Sequence, residues 1–468
     1  KQRRKLPHHA TGPATDAMGH DAPTGGSRAP LLALARAVSA VVRLSLGPLM
    51  PVLVVDLQVD VLAKGQLLSA FSSGYLLTQV IGGCVADRIG ARLVVLWTLV
   101  ATSALVFVAP HLAQEFGAEG LTAVYLILGF VNGPLFPACS VMLRDVSSKS
   151  RSQAMAIVDA GGTLGGCIAT AACPLIASYV GWPRLFEGLA AVAGACALLW
   201  WRTATDPRPV EPEHSADDDV ASKLAETSAM ALFRFAGPWA LFWSHSVFNY
   251  ANYFLNAWLP TMFVERFPGV DAAAAGGYLL GPELVGVGAR FAAATLADRM
   301  LALGRIRLQP LRRTATALAF VFQGLFLMAA VRTEDPFECA VLLILAAASS
   351  GVHACGFKAN YLELTKVHSG LLTGVGNTVA SISSAAGPVV TSELLARMPG
   401  NWEFLFVLLF ALNASGALVA SMGLSVENLD LRSSKALPAE AIPATPTTAT
   451  CSCNLYRRRK GAGQGSAE

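Results

Sequence analysis

Long apolar runs, separated by short clusters of charge, fill most of the chain. A helix needs about 20 mostly apolar residues to cross the hydrocarbon core of a bilayer. Runs of that kind predict spans near residues 32–56, 66–86, 92–110, 121–143, 153–177, 184–201, 237–262, 274–296, 313–331, 337–362, 370–395 and 402–423. One long polar stretch, Thr203 to Ser228, interrupts the series and divides it six and six. The pattern therefore predicts an all-α membrane protein with twelve transmembrane helices in two pseudo-symmetric six-helix bundles. Its expected parts are a disordered N-terminal tail (1–31), a first bundle (32–202), a linker (203–233), a second bundle (234–423) and a disordered C-terminal tail (424–468).

Composition strengthens this reading. Of 468 residues, 54% are hydrophobic and 14% charged, whereas a soluble domain carries about a quarter charged residues. A bilayer is the solvent that suits such a surface. The formal net charge of +4 gives no reason to expect a nucleic-acid partner, but the placement of charge is informative. Arg88, Arg92, Arg144, Lys149, Arg151, Arg202, Arg208, Lys223, Arg299, Arg305, Arg307, Arg312, Arg313 and Lys366 fall on one set of loops. The other set holds only Lys64, Arg184, Arg266, Arg332 and Arg397. Positive charge stays on the cytoplasmic side, so both termini and the linker are expected in the cytosol. The chain opens on Lys1 with no apolar signal core, which leaves an upstream targeting segment open.

Polar residues inside the spans are the candidate machinery. An ionisable side chain at mid-bilayer costs about 2.5–3.5 kcal/mol and usually faces a cavity or a partner. Arg43 lies eleven residues into the first span, about 16 Å at the helical rise, close to the midplane. It is the best-placed group for a substrate anion; the competing use is a structural pair with an acid such as Glu283. In span 7, His245, Asn249, Asn252, Tyr253 and Asn256 fall within about 100° of arc. Such a stripe lines a cavity or glues helices through hydrogen bonds, and five on one face exceeds what glue requires. Asp159 and Glu283 are buried acids, each placed to accept a coupling proton or to pair with a nearby cation. Lys358 and Asn360 lie nearly opposite on the helical wheel, and Asn360 is preferred for the cavity. Arg290 reads as structural, and Glu363 as a gate or loop residue.

The chain also repeats itself. Span 2 ends in Gly83-x-x-x-Asp87-Arg88-x-Gly90-x-Arg92, and span 8 ends with Asp298-Arg299 at the corresponding place. A paired Asp-Arg at matching ends of two halves suggests a conformational latch: Gly83, Asp87, Arg88 and Arg92 in one half, Asp298 and Arg299 in the other. No phosphate-binding loop, Gly-x-Ser-x-Gly elbow or metal-spaced histidine pair occurs. Enzyme chemistry, a cofactor and a metal site are therefore not expected, and gradients or exchange must drive any transport.

These stretches resemble a known family. "LLSAFSSGYLLTQVIGGCVADRIGAR" looks like the second span of the anion:cation symporter family within the major facilitator superfamily, the group of sodium–phosphate, vesicular glutamate, sialic acid and hexuronate carriers. "HSVFNYANYFLNAWLPTMFVERF" is similar to its seventh span, and "GFKANYLELTKVHSGLLTGVGNTVASISSAAGPV" to spans 10 and 11. The resemblance implies the major facilitator fold and a secondary transporter moving a small anion, inorganic phosphate or an organic carboxylate, by alternating access, with H+ or Na+ as the coupling ion. It implies a substrate site built from Arg43, Asn132, His245, Asn249, Tyr253, Asn360 and Asn377. The sequence also departs from the family. Val42 stands where an acid usually precedes the span-1 arginine. Tyr125 and Asn132 stand where span 4 usually carries an arginine and a glutamate. Two other readings therefore stay open: a carrier of a neutral or zwitterionic solute, and a non-transporting nutrient sensor of the same fold.

Overall fold

In the computed structural model, residues 28–143, 148–207, 229–365 and 368–429 are described, apart from a few side chains within them. Every regular element there is helical. Span 1 comprises Ala29–Leu44 and Leu46–Asp56, and span 2 is Val61–Ile89. Spans 3 and 4 form one continuous assignment, Ala91–Asn132, extended by Leu135–Met142. Fifty-two residues at 1.5 Å each would outrun the bilayer more than twice over. The chain instead turns at Gly117, whose φ of 61° and ψ of −143° are not helical. Span 5 is Ser148–Cys167, a π-helical turn Ile168–Ala172, and Cys173–Val180. Pro174, at the second position after that turn, has no N–H to offer the Thr170 carbonyl, and a local change of helical pitch is the expected response. Span 6 is Trp182–Thr203.

The second half repeats the plan: Ala236–Arg266 (span 7), Ala272–Ala302 (span 8), Leu308–Ala330 (span 9), Pro336–Gly351 continued by Phe357–Leu364 (span 10), Ser369–Arg397 (span 11) and Trp402–Gly423 (span 12). Among the described residues, nine continuous helices are long and apolar enough to cross a membrane, the fused spans 3 and 4 counting once. Spans 2 and 7 are also long helices, of 29 and 31 residues.

Matching side chains make the repeat physical. Asp60 caps span 2 by accepting from the Ala63 amide at 2.7 Å, and Asp271 caps span 8 by accepting from Ala274 at 2.8 Å. Each cap satisfies an amide that the first helical turn leaves free. At the start of span 3, Arg92 donates to the Trp201 carbonyl at the end of span 6. At the start of span 9, Arg313 donates to the Leu424 carbonyl just beyond span 12. Buried apolar side chains collect into two large clusters in each half, so each bundle has its own core.

The halves meet most closely at the end that carries the Asp56–Asp60 loop, the loop-1 end. There Gly47 lies against the Asn256 carbonyl, Gly65 against Ser392 and the Pro388 carbonyl, and Gly276 against the Thr170 carbonyl. Any side chain at these glycines would collide with the opposite half. Lys64 of span 2 also sets its ammonium 4.8 Å from the Trp258 ring centroid of span 7. Further along, Ser381 donates to Gln79 at 3.4 Å. Toward the opposite end, which carries the linker, Asp159 of span 5 is exposed while in electrostatic reach of Lys358 in the other half. Polar groups of the two bundles thus face each other toward the linker end.

Candidate functional site

Span 1 is broken at Ser45, one residue after Leu44 ends its first helix. Pro48 and Pro51 follow, and neither supplies the N–H that an unbroken helix would use. Arg43 sits in the last turn before this break. Its Nη1 donates to the Tyr253 hydroxyl of span 7 at 3.5 Å, and its guanidinium carbon lies 5.8 Å from the Phe71 ring centroid. Its Nε is buried without a partner. A pocket of about 30 Å³ adjoins it, walled also by Ser72, Asn256 and Pro388. Tyr125 stands where the family resemblance leads one to expect a cation. Its hydroxyl donates to the Val42 carbonyl at 3.2 Å, holding the backbone beside Arg43 from within the first bundle.

More charge faces this space than sequence reading anticipated. Arg36 lies two turns before Arg43 on the same face of span 1, its guanidinium carbon 5.2 Å from the Phe136 ring centroid. The Tyr75 hydroxyl lies within electrostatic reach of Arg36, Arg43 and Tyr253 together. Across the gap, Lys358 of span 10 places its ammonium 3.8 Å from the Phe248 ring centroid. Asp159 stands exposed in reach of both Arg36 and Lys358. Among the described residues, Arg36, Arg43, Lys358 and Asp159 therefore face one another between the halves.

The other sequence-derived residues divide sharply. In span 7, Tyr253 meets Arg43, Asn256 lines the pocket beside it, and Asn249 makes no side-chain hydrogen bond among the described residues. His245 is hydrogen-bonded to the Tyr361 hydroxyl at 3.0 Å and packs on Phe357, so its ring is tied to span 10. Asn252 spends a donor on the Phe248 carbonyl. Asn377 is half-buried on span 11 with no side-chain partner among the described residues.

Two asparagines go elsewhere than expected. Asn132 is 2% exposed; it donates to Thr102 and to the Leu128 carbonyl and accepts from Ser39 at 2.7 Å. Its amide group is thereby occupied, and the Ser39 and Thr102 bonds join spans 1, 3 and 4. Asn360 is fully buried, donating to Glu363 at 3.0 Å and to the Ser425 carbonyl at 2.8 Å. It belongs to a polar knot at the linker end, where buried Arg312 donates to Glu363 through Nε and Nη2 and to the Cys355 carbonyl at 2.6 Å. Sequence reading prefers Asn360 to Lys358 for the cavity; the structure ties Asn360 into this knot and sets the Lys358 ammonium over the Phe248 ring. Glu363 is likewise half of a structural ion pair, not a loop residue.

Glu283 does not pair with Arg43. It lines a separate cavity of about 90 Å³ in the second half, with Arg290, Gln323, Asn256 and Thr170 in the same wall. Arg290 is thus a cavity residue and not simply a structural one. Of the latch residues, the side chains of Gly83 and Asp87 lie outside the described residues. Arg88, Asp298 and Arg299 are exposed at the linker end. Arg92, besides its bond to Trp201, comes within 4.0 Å of Asp206.

Comparison with known proteins places this geometry in context. The family profile described as Major Facilitator Superfamily matches residues 32–388. The chain is 27% identical over 370 residues to "Probable anion transporter 4, chloroplastic" of Oryza sativa subsp. japonica. That alignment covers 76% of this chain and 61% of the relative, so the chain spans less than two thirds of the rice protein. It is 26% identical over 376 residues to "Sialin" of Homo sapiens, covering 77% of this chain and 75% of that protein. Among solved structures, a bacterial homologue of the human lysosomal transporter Spinster, in an inward-facing and unoccupied conformation, matches with a TM-score of 0.66 at 16% identity. That match covers 88% of this chain and 98% of the other.

Proposed function

Because the chain belongs to the Major Facilitator Superfamily, we propose that it is a secondary transporter carrying a small anion, inorganic phosphate or an organic carboxylate, by alternating access. The observation that carries this reading is the Arg43–Tyr253 contact across the two halves, beside a pocket and with Arg36 and Lys358 facing the same space. A guanidinium near mid-membrane, with no carboxylate bridged to it among the described residues, raises the energy of the empty carrier; an anion relieves that cost. The named relatives include an anion transporter and sialin, which supports the same class of substrate. Arg43 is the charged anchor, with Tyr253, Asn249, Asn256 and Asn377 as hydrogen-bonding groups and Arg36 and Lys358 as flanking cations.

The packing at the loop-1 end corresponds to a carrier closed on that side and open at the linker end. The linker end is the cytosolic one, since it carries most of the lysines and arginines. A H+ or Na+ gradient supplies the drive, with Asp159 and Glu283 as the acids able to take part. The Asp-Arg pairs Asp87-Arg88 and Asp298-Arg299 act at the cytosolic helix ends as latches and not as ligands. Asp159 in the same space as three cations favours one alternative, a zwitterionic solute whose cationic group it would meet. Uptake into proteoliposomes tests the proposal: accumulation of radiolabelled phosphate or carboxylate against a set ion gradient supports it. Binding without accumulation would identify a sensor, and uptake of neutral or zwitterionic label alone would identify the other carrier.

A further inference from the structure

The second cavity carries its own chemistry. Glu283 lies at the middle of span 8, and its carboxylate makes no hydrogen bond or ion pair among the described residues. Gln323 of span 9 is 1% exposed and lines the same cavity with an Oε1 that has no partner. Thr170 of span 5, 4% exposed, brings an unpartnered Oγ1 from the other half. Asn256 and Ser350 complete a wall rich in oxygen donors. At about 30 Å³ for each water, 90 Å³ holds roughly three waters, which is room for one ion with part of its hydration shell.

A carboxylate held this way needs a positive companion, because an uncompensated buried charge costs several kcal/mol. Arg290, seven residues along the same helix, stands in electrostatic reach of Glu283 but forms no ion pair with it among the described residues, so it offsets that charge only in part. A proton would need only one oxygen, whereas this wall offers neutral oxygens from spans 5, 7, 9 and 10 as well. Hard cations take oxygen ligands, and ligand charge tunes the site. One carboxylate among neutral oxygens, with Arg290 nearby, suits a single positive charge better than two.

We propose that this cavity is a sodium site, formed by Glu283, Gln323, Thr170, Asn256 and Ser350. The assignment rests on the carrier reading for its use but not for its detection. Asn256 lines both this cavity and the Arg43 pocket, so cation and anion sites share a wall. Thr170 reaches the cavity only because the halves meet at the loop-1 end, so bound sodium favours that closed arrangement.

The test is equilibrium binding of 22Na+ to the purified full chain, read without transport and without anion. One saturable site per chain, displaced by unlabelled Na+ and not by choline, is the expected result. Glu283→Gln should weaken it at least tenfold and Gln323→Leu severalfold, with thermal unfolding unchanged. Should Glu283→Gln fail to fold, Gln323→Leu and Thr170→Val carry the test. No saturable binding to the wild type, or an affinity within twofold of wild type in the folded variants, overturns the proposal. Anion accumulation without a sodium site would leave the carrier reading standing alone. Sodium binding in a chain that moves no solute would leave the site standing and remove the carrier reading.

Discussion

Gly276→Ala, compared with Gly277→Ala, separates the two conformations that alternating access requires. The residues are neighbours on span 8, yet an added methyl meets opposite surroundings. At Gly276 it would lie 2.5 Å from the Thr170 carbonyl of the other half, with Ala171 Cα at 3.5 Å; at Gly277 it meets nothing within 4 Å. Alanine is the better helix former by roughly 1 kcal/mol, but that gain applies in both conformations and cancels in their ratio. The collision exists only while the loop-1 end is closed. Overpacking of this kind costs about 1–3 kcal/mol, which shifts the closed-to-open ratio roughly 5- to 150-fold. The assay is thiol labelling from the loop-1 side in a cysteine-free background carrying Ser72→Cys, since Ser72 is 7% exposed and lines the Arg43 pocket. Labelling should accelerate in Gly276→Ala and stay at the parental rate in Gly277→Ala. Equal rates in the two would refute the claim that this glycine contact holds the outer end shut.

Three further outcomes follow from the polar groups. Arg312→Ala strands Glu363, whose partner is 7% exposed, and should cost about 3–5 kcal/mol, seen as a large fall in the thermal midpoint. Asn360→Ala should lower the midpoint modestly, by about 1–3 kcal/mol, and leave anion affinity within twofold. Lys358→Met should do the reverse, weakening anion binding severalfold with little loss of stability. Binding isotherms and thermal unfolding on the same preparations distinguish the last two.

The fold follows from what sequence displays directly. Apolar runs of bilayer length, one long polar interruption and the recurring Asp-Arg pair point to two six-span halves, because burial in lipid constrains every residue of a span. The span-7 stripe was visible for the same reason: polar groups on one helical face stand out against an apolar background. Asn132 and Asn360 are ambiguous in sequence because an amide in a span hydrogen-bonds equally well to a substrate or to neighbouring helices. Only the positions of Thr102, Ser39, Glu363 and Ser425 decide between those uses, and these are remote in sequence. Arg36 is not singled out by sequence, since it lies near the start of a span, where a long side chain can reach water. Its place on Arg43's face, over Phe136, depends on how span 4 packs. The Glu283 cavity exists only once five spans, 5, 7, 8, 9 and 10, are brought together.

Anion binding to purified Arg43→Gln tests the central claim most directly. Removing the guanidinium forfeits a charge-assisted contact of about 1.5–3 kcal/mol, or roughly 10- to 150-fold in affinity. Arg43→Lys keeps the charge without the fork that matches a carboxylate or phosphate and should lose only severalfold. The account predicts that order, with the wild type preferring phosphate or carboxylates to their neutral analogues. Unchanged anion affinity in Arg43→Gln, or a wild-type preference for the neutral analogues, would contradict it.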